Sequence, residues 1–504
     1  MQPNKERENT MYGIKGIGIA VLLLMMASPA FSAQDTSVLL EKAIYTEETL
    51  GNLNDAIAIY KQIMNTADMN RDIAAMAIYR LGMCYRKLGS EADAFSTFSA
   101  LARLYPEQRD LIAKSLFLNM KPVPWADGEV MRLRQKRIGT EPMGGALFGT
   151  YSVESGLEAG KPVWYLRYFI GSGRSPIYYS ITAADAATML PVNSRFSRNQ
   201  TWLESRYTAN QIEVINLQDS SQPARQIQST GSAYDAWQIV SIMRRLPLQP
   251  GFEATVPVFE SSSGSFANVR FQVVAREAVT VPAGTYDCHK IAMISDDNLP
   301  TEQTFWITAD SHAYVARAQI DRINEFELYS VENVGKNQLA VFEIPGGDIT
   351  LSAPRQWYMS VMSSVTKAVP VGTSFTMVPA GTAVQIGAPD LGSELSVMAY
   401  DITPERPAPA KTPQSSVTSV NGVEFRYQIR ADTRGSIAVA GLTGERFIAD
   451  TRDIQSGEDI VQYTYHLSSP AKAYTLTFTT GKDNFDKMRS VFESIVNSLR
   501  VQQK

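Results

Sequence analysis

The segment VPAGTYDCHKIAM, residues 281–293, sets Cys288 directly beside His289 in a chain that has 2 cysteines and 3 histidines. A cysteine nucleophile needs a base within hydrogen-bond reach, and a zinc site needs three or four ligands. The dipeptide meets neither requirement alone. Pro282 and Gly284 read as a tight turn, and the residues after them read as a strand, along which successive side chains point to opposite faces. On that reading Cys288 shares an inward face with Tyr286, Ala292 and Ile294. His289 falls on the other face with Asp287, Ile291 and Met293, as a surface histidine. His312 and His466 stand in no recognisable motif.

Other chemistry-bearing combinations are sparse. SDDN at 295–298 offers oxygen ligands but lacks the spacing and the glutamate of a calcium loop. GSGRS at 171–175 is a hairpin-turn pattern. No GxSxG, HExxH or phosphate-cradling glycine loop with lysine occurs. Cys84 and Cys288 stand far apart, in neither a disulfide framework nor a zinc spacing, and read as buried free thiols. The expectation is a non-enzymatic protein with no catalytic residue, no metal and no cofactor.

The elements that would position any site follow from composition and pattern. At 504 residues, with 44% hydrophobic and 19% charged residues, the chain is long enough for several folded domains. A net charge of −4 supplies none of the basic surface that nucleic acid requires. Near the N-terminus, Lys15 precedes an apolar run from Ile17 to Ala27 and small residues from Ala30 to Ala33. This reads as a cleaved export signal over residues 1–33, with translation starting at Met1 or at Met11. The run is too short to span a bilayer comfortably, so the mature chain is expected to be periplasmic or secreted, without a membrane span.

Residues 36–120 carry a helical period. In AIYRLGMCYRKLGSEADAFSTFSALARLYP, Ile78, Leu81, Gly82, Tyr85, Ala94, Phe98 and Pro106 alternate large and small positions along two helices. Gly82 and Ala94 are small where antiparallel helices touch, Tyr85 and Phe98 fill between them, and Pro106 stops the second helix. One repeat earlier, Gly51, Ala56 and Tyr60 stand where Gly89, Ala94 and Phe98 stand. The order resembles the tetratricopeptide repeat over about 39–119. The first helix departs from that pattern, with Ile44 in place of the small residue and Glu47 in place of tyrosine. EQRDLIAKSLFLN, 107–119, is expected to cap the pair as a fifth helix, because stacked repeats need neighbours to bury a continuous core. The resemblance implies a groove for a protein or peptide partner, with Asn54, Arg80 and Arg86 as candidate polar contacts.

Residues 121–335 switch to short runs rich in β-branched and aromatic residues, separated by Gly, Pro, Asn and Ser, which reads as an antiparallel β domain. A helix is expected within SAYDAWQIVSIMRRLPL, with Ala233, Trp237, Ile239, Val240 and Met243 on one stripe. PWADGE, VPAGTYDCHKIAM and FWITADSHAYVAR together resemble an exported bacterial β-domain family of unknown function. The form is also similar to a half-barrel of the lipoprotein-carrier type.

Residues 339–504 read as an α+β domain with a proline-rich loop at 403–416 and a final amphipathic helix. Phe485, Met488, Phe492, Ile495 and Leu499 form its apolar stripe, Asp483 is its expected N-cap, and Asp486 and Arg500 match its dipole. The ending resembles PsbP-like domains, exported or lumenal modules that bind or support other proteins.

The expected function is therefore that of an exported scaffold acting through its helical repeats. The alternative is a carrier or sensor of a lipid or other apolar ligand in the middle β domain.

Overall fold

A computed structural model describes residues 33–66, 70–137, 148–171, 176–198, 201–219, 221–229, 232–295, 302–322, 324–336, 338–344, 348–362, 366–371, 374–379, 382–388, 392–404, 407–408, 412–420, 423–452 and 457–502. The expected signal lies outside the described residues up to Ser32. GSGRS beyond Gly171 and SDDN beyond Ser295 also lie outside them. The chain divides into two compact units, one ending at Ala77 and one beginning at Ile78.

The first unit holds α1 (Ala33–Glu48), α2 (Leu53–Thr66) and the start of α3 (Arg71–Lys87). Ala56 and Tyr60 are fully buried. Glu47 is buried as well, and the Tyr60 hydroxyl donates to its carboxylate at 2.7 Å. The departure from the repeat pattern at Glu47 is thus matched by a hydrogen bond that a buried carboxylate requires. Asn54 is exposed on α2.

The second unit continues with the rest of α3, then α4 (Glu91–Leu104) and α5 (Arg109–Asn119). Ile78, Leu81, Ala94 and Phe98 are buried. The Phe98 ring occupies the space that a Cβ at position 82 would need, so glycine there is a close-approach residue. Fifteen strands follow in one sheet. They are β1 (Glu129–Arg137), β2 (Phe148–Glu158), β3 (Lys161–Gly171), β4 (Pro176–Asp185), β5 (Pro191–Arg198), β6 (Thr201–Tyr207), β7 (Gln211–Asn216) and β8 (Arg225–Gln228), then β9 (Tyr234–Asp235), β10 (Glu253–Glu260), β11 (Ser265–Val281), β12 (Gly284–Ser295), β13 (Glu302–Thr308), β14 (Val315–Gln319) and β15 (Asn324–Asn333). Their spatial order runs from β8 down to β1 and then from β15 down to β9. All pairs are antiparallel except β9 with β10. Between β9 and β10 the chain makes a 3₁₀ turn, Ala236–Gln238, and α6 (Ile239–Arg245). The helix is shorter than expected, because Ala233 and Tyr234 are drawn into the loop and strand that precede it.

The hydrogen-bond ladder leaves the sheet open, yet its two ends meet through side chains. The Tyr207 hydroxyl donates to Asp235 at 2.7 Å, Ser205 and Ser261 share a 2.8 Å hydrogen bond, and Arg225 donates to the Ser261 carbonyl at 2.8 Å. Phe259, Ile212, Val214 and Ala233 close the same seam in an apolar cluster.

The C-terminal part comprises β16 (Leu339–Ile344), β17 (Ile349–Pro354), β18 (Tyr358–Met362), β19 (Thr366–Val371), β20 (Ser374–Pro379), β21 (Thr382–Ala388), β22 (Ser393–Asp401), β23 (Ser415–Val420), β24 (Val423–Ile429), β25 (Gly435–Val439), β26 (Leu442–Arg452), β27 (Asp459–Ser468), β28 (Lys472–Gly481), α7 (Phe485–Asn497) and β29 (Arg500–Val501). The α7 stripe of Phe485, Met488, Phe492 and Ile495, with Leu499 beyond it, is buried against the sheet in one core. Asp483 does not cap α7. It lies inside a preceding 3₁₀ turn, Lys482–Asn484, and Asn484 takes the cap position. Arg500 stands in β29 and donates back to the Leu499 carbonyl at 2.8 Å, near the helix end where a cation is favourable.

This part is fastened to the middle sheet. Arg355 pairs with Glu154 and donates to the Val334 carbonyl at 2.8 Å, and Tyr358 stacks on Phe169 with ring centroids 4.8 Å apart. The sequence of helical hairpins, antiparallel sheet and α+β end is the expected fold class.

Candidate functional site

Cys288 and His289 do lie on opposite faces of β12, but neither is at the surface. Cys288 is fully buried and His289 is 7% exposed. Across the ladder His289 opposes Ile307, and Ile291 opposes Phe305, so both face the core. The expected surface histidine is therefore a core-facing one. The alternation is as expected and Cys288 is inward, but the His289 face is covered as well. The opposite face is buried too, with Val279, Val281 and Trp306 joining Cys288 in one cluster. Burial pushes the Cys288 thiol up to about 12 and lowers the His289 imidazole, helped by Arg276 and Lys121. Neither group has the exposed, electropositive setting of a reactive thiol. Among the described residues, no three His, Cys, Asp or Glu side chains gather as a metal site.

The interior of the curved sheet is occupied by its own chain. Asp235 starts the 3₁₀ turn with a capping box: it accepts from Trp237 N at 2.8 Å, while Gln238 accepts from Asp235 N at 3.2 Å. That cap directs Trp237 onto an aromatic set from three strands. Its ring lies 4.7 Å from Phe196, 5.5 Å from Tyr178 and 6.1 Å from Tyr168. Burial raises the Asp235 carboxyl above the usual range, against the hydrogen bonds that lower it. Glu260 is raised for the same first reason, and Asp235 adds to it.

The helix α6 that follows is buried on every side. Ile242 and Met243 are fully buried, and the guanidinium-bearing Arg244 and Arg245 are buried beside them. Arg244 is fully engaged: it donates to Glu129 at 2.7 Å, to the Ala313 carbonyl at 2.8 Å and to the His312 carbonyl at 2.9 Å. Trp125 and Tyr314 lie against its guanidinium, at 5.3 and 5.9 Å. These partners explain PWADGE and ADSHAY, two of the motifs carrying the family resemblance, as parts of one buried clamp.

The repeat helices of the second unit dock on the same domain. Phe95 of α4 stacks on Phe252 at 4.7 Å, and Arg109 of α5 covers the Phe266 ring at 4.7 Å. Ser232 donates to Asp110 at 2.9 Å. Beyond α5, Lys121 N donates to the Arg245 carbonyl at 2.7 Å and Arg245 returns a bond to the Lys121 carbonyl at 2.8 Å. One side of α4–α5 is thus consumed by an internal contact. Of the candidate partner contacts, Arg86 donates to the Leu118 carbonyl at the end of α5, where it closes a helix terminus. Arg80 is half-buried on α3 and Tyr85 is likewise half-buried. Sequence reading did not find the docking of Phe95 on Phe252; an apolar residue beside Ala94 on α4 was its sole local trace.

The comparisons follow this division. A tetratricopeptide repeat model matches residues 76–107, and the model of a protein of unknown function, DUF3108, matches residues 160–324. No curated protein matches the chain. Solved structures similar to parts of it include a Bacteroides thetaiotaomicron protein at 11% identity and TM-score 0.20, covering 32% of this chain. The chain spans about half of that protein, 48% of its length. PsbP from Synechocystis is similar at 13% identity and TM-score 0.23, covering 34% of this chain and 97% of PsbP. A β-barrel-like DUF1849 protein from Brucella abortus is similar at 10% identity and TM-score 0.28, covering 43% and 100%. Scores this low assign no function.

Proposed function

We propose that the chain is an exported, non-catalytic scaffold that binds a protein partner through its helical repeats. The tetratricopeptide match supports a protein-interaction module, and the Lys15, Ile17–Ala27 and Ala30–Ala33 pattern supports export. The observation that carries the reading is the docking of α4 and α5 on the β10–β11 hairpin, Phe95 on Phe252 just before β10 and Arg109 on Phe266 of β11. Within the second unit it joins α4 and α5 to the β domain, so that the repeat match and the large sheet share one packed surface.

The lipid-carrier reading is the weaker of the two, since Trp237, Ile242 and Met243 fill the interior that an apolar ligand would need. The test is crosslinking of the purified mature chain in an envelope extract, with the crosslinked positions mapped. A partner crosslinked to α1–α3, and lost on Arg80→Glu, supports the scaffold. No protein crosslink, together with lipid co-purifying with the chain, overturns it in favour of the carrier. Among the described residues no helix is long and apolar enough to cross a membrane.

A further inference from the structure

The small sheet of β16, β17 and β29 ends on β16. Among the described residues β16 pairs with β17 alone, in a regular antiparallel register from Leu339–Pro354 to Ile344–Ile349. The Ser352 N–H donates to the Ser498 hydroxyl at 2.7 Å, in line with the pairing of Thr350 and Arg500 on the β29 side of β17. Ser352 therefore turns its N–H away from β16, and Val341 opposite it stands in a non-hydrogen-bonded pair. Pro354, opposite Leu339, has no N–H to give. By the alternation of an antiparallel ladder, Leu339, Val341 and Glu343 all direct N–H and C=O outward, to the side where no described strand lies.

Strand edges are ordinarily blunted by shortness, charge, proline or a bulge. At the ends of the large sheet, β9 has 2 residues, and β8 carries Arg225, which bonds across the seam to the Ser261 carbonyl. The 6-residue β16, LAVFEI, has no proline, no lysine or arginine and no register shift. Ala340, Phe342 and Ile344 fix its inner face in the C-terminal core. Its outer face presents Leu339 and Val341, 45% and 53% exposed.

We infer that β16 is the interface between two copies of this chain, paired antiparallel about Val341. The edge is self-complementary in that register. With Val341 opposite Val341 of the second copy, Leu339 opposes Glu343, and the outward N–H and C=O groups at these positions meet as hydrogen-bonded pairs. Val341 packs on its own counterpart, and Leu339 covers the methylenes of Glu343. The two carboxylates fall at opposite ends of the contact, not face to face. A strand of another sequence would satisfy the backbone alone; the match of the exposed side chains selects a second copy.

So short an edge makes a small interface, and association is weak and concentration-dependent. Sedimentation velocity of the full mature chain over about a hundredfold range of concentration should show monomer passing to dimer. Val341→Lys should weaken association at least about tenfold. Val274→Lys, at a residue 51% exposed within β11 of the large sheet, should not. Unchanged thermal unfolding of both variants shows that they fold. Crosslinking reads the register without breaking the contact. Residues of a hydrogen-bonded pair stand about 5.5 Å apart at Cα, within disulfide reach, and Cys84 and Cys288 are buried. Under mild oxidation Val341→Cys should yield a disulfide-linked dimer and Leu339→Cys should not, whereas Leu339→Cys combined with Glu343→Cys should restore it. A chain monomeric at every concentration, a dimer that survives Val341→Lys, or equal crosslinking of Leu339→Cys and Val341→Cys overturns the inference. None of these outcomes depends on a partner of the repeat helices, so the scaffold reading stands or falls separately.

Discussion

Arg244 and Glu129 form an ion pair at 2.7 Å with side chains 1% and 3% exposed, joining the end of α6 to the start of β1. Two charges so far from water need further hydrogen bonds, and each guanidinium nitrogen makes one, two of them to the His312 and Ala313 carbonyls. Ala313, whose carbonyl is one of these two acceptors, takes a left-handed backbone, φ 48°. The pair holds the filling helix in the sheet.

Arg244→Met leaves Glu129 buried without its cation. We expect a loss of about 3–5 kcal/mol in urea unfolding, and a smaller loss when Glu129→Gln is added. Additive losses in the double variant would show that the pair is not the unit that matters.

Gly82→Ala places a methyl group where the Phe98 ring lies. The expected cost is about 1–3 kcal/mol, partly recovered by Phe98→Leu in the same chain. Thermal unfolding of the three variants checks it.

Phe252→Ala removes the partner on which Phe95 stacks. It should cost about 3–5 kcal/mol, and hydrogen exchange should rise in α4 and α5 while β12 and β13 stay protected. Uniform loss of protection would mean that the docking is not a separable contact.

Both cysteines are buried and free, and the Cys288 thiol is pushed up to about 12. At pH 8 a maleimide should label neither in the native chain and both in denaturant. Rapid native labelling of Cys288 would contradict the burial described for it.

Asp235 is a carboxylic acid whose folded-state titration is raised by burial. The folded chain holds this proton more tightly than the unfolded chain, so the contribution of Asp235 to stability is highest below the ordinary carboxylate range. It falls as pH rises from about 4 through the raised value. Asp235→Asn keeps an acceptor for the Tyr207 hydroxyl and has no proton to lose. Its stability relative to wild type should therefore grow with pH over that window, on top of the slope that Glu260 retains. A difference independent of pH would refute the assignment.

Local pattern carried much of the architecture. Gly82, Ala94 and Phe98 announced an antiparallel helix pair because helices can approach only where one side is small. The stripe from Phe485 to Leu499 announced a core-facing helix by its period. Short aromatic and β-branched runs announced strands, and the turn at Pro282–Gly284 placed one of them. These are interactions between near neighbours in the chain, so composition and spacing record them.

What the tertiary structure decided lies between distant residues. Which face of β12 is inward depends on β13 and β11 opposite it, and both faces turned out to be covered, so His289 could not be placed by alternation alone. That α6 would fill the sheet follows from Arg244 meeting Glu129 and Trp237 meeting Phe196, contacts between segments far apart in sequence. Side-chain period determines which elements form; long-range register and charge pairing determine what those elements enclose.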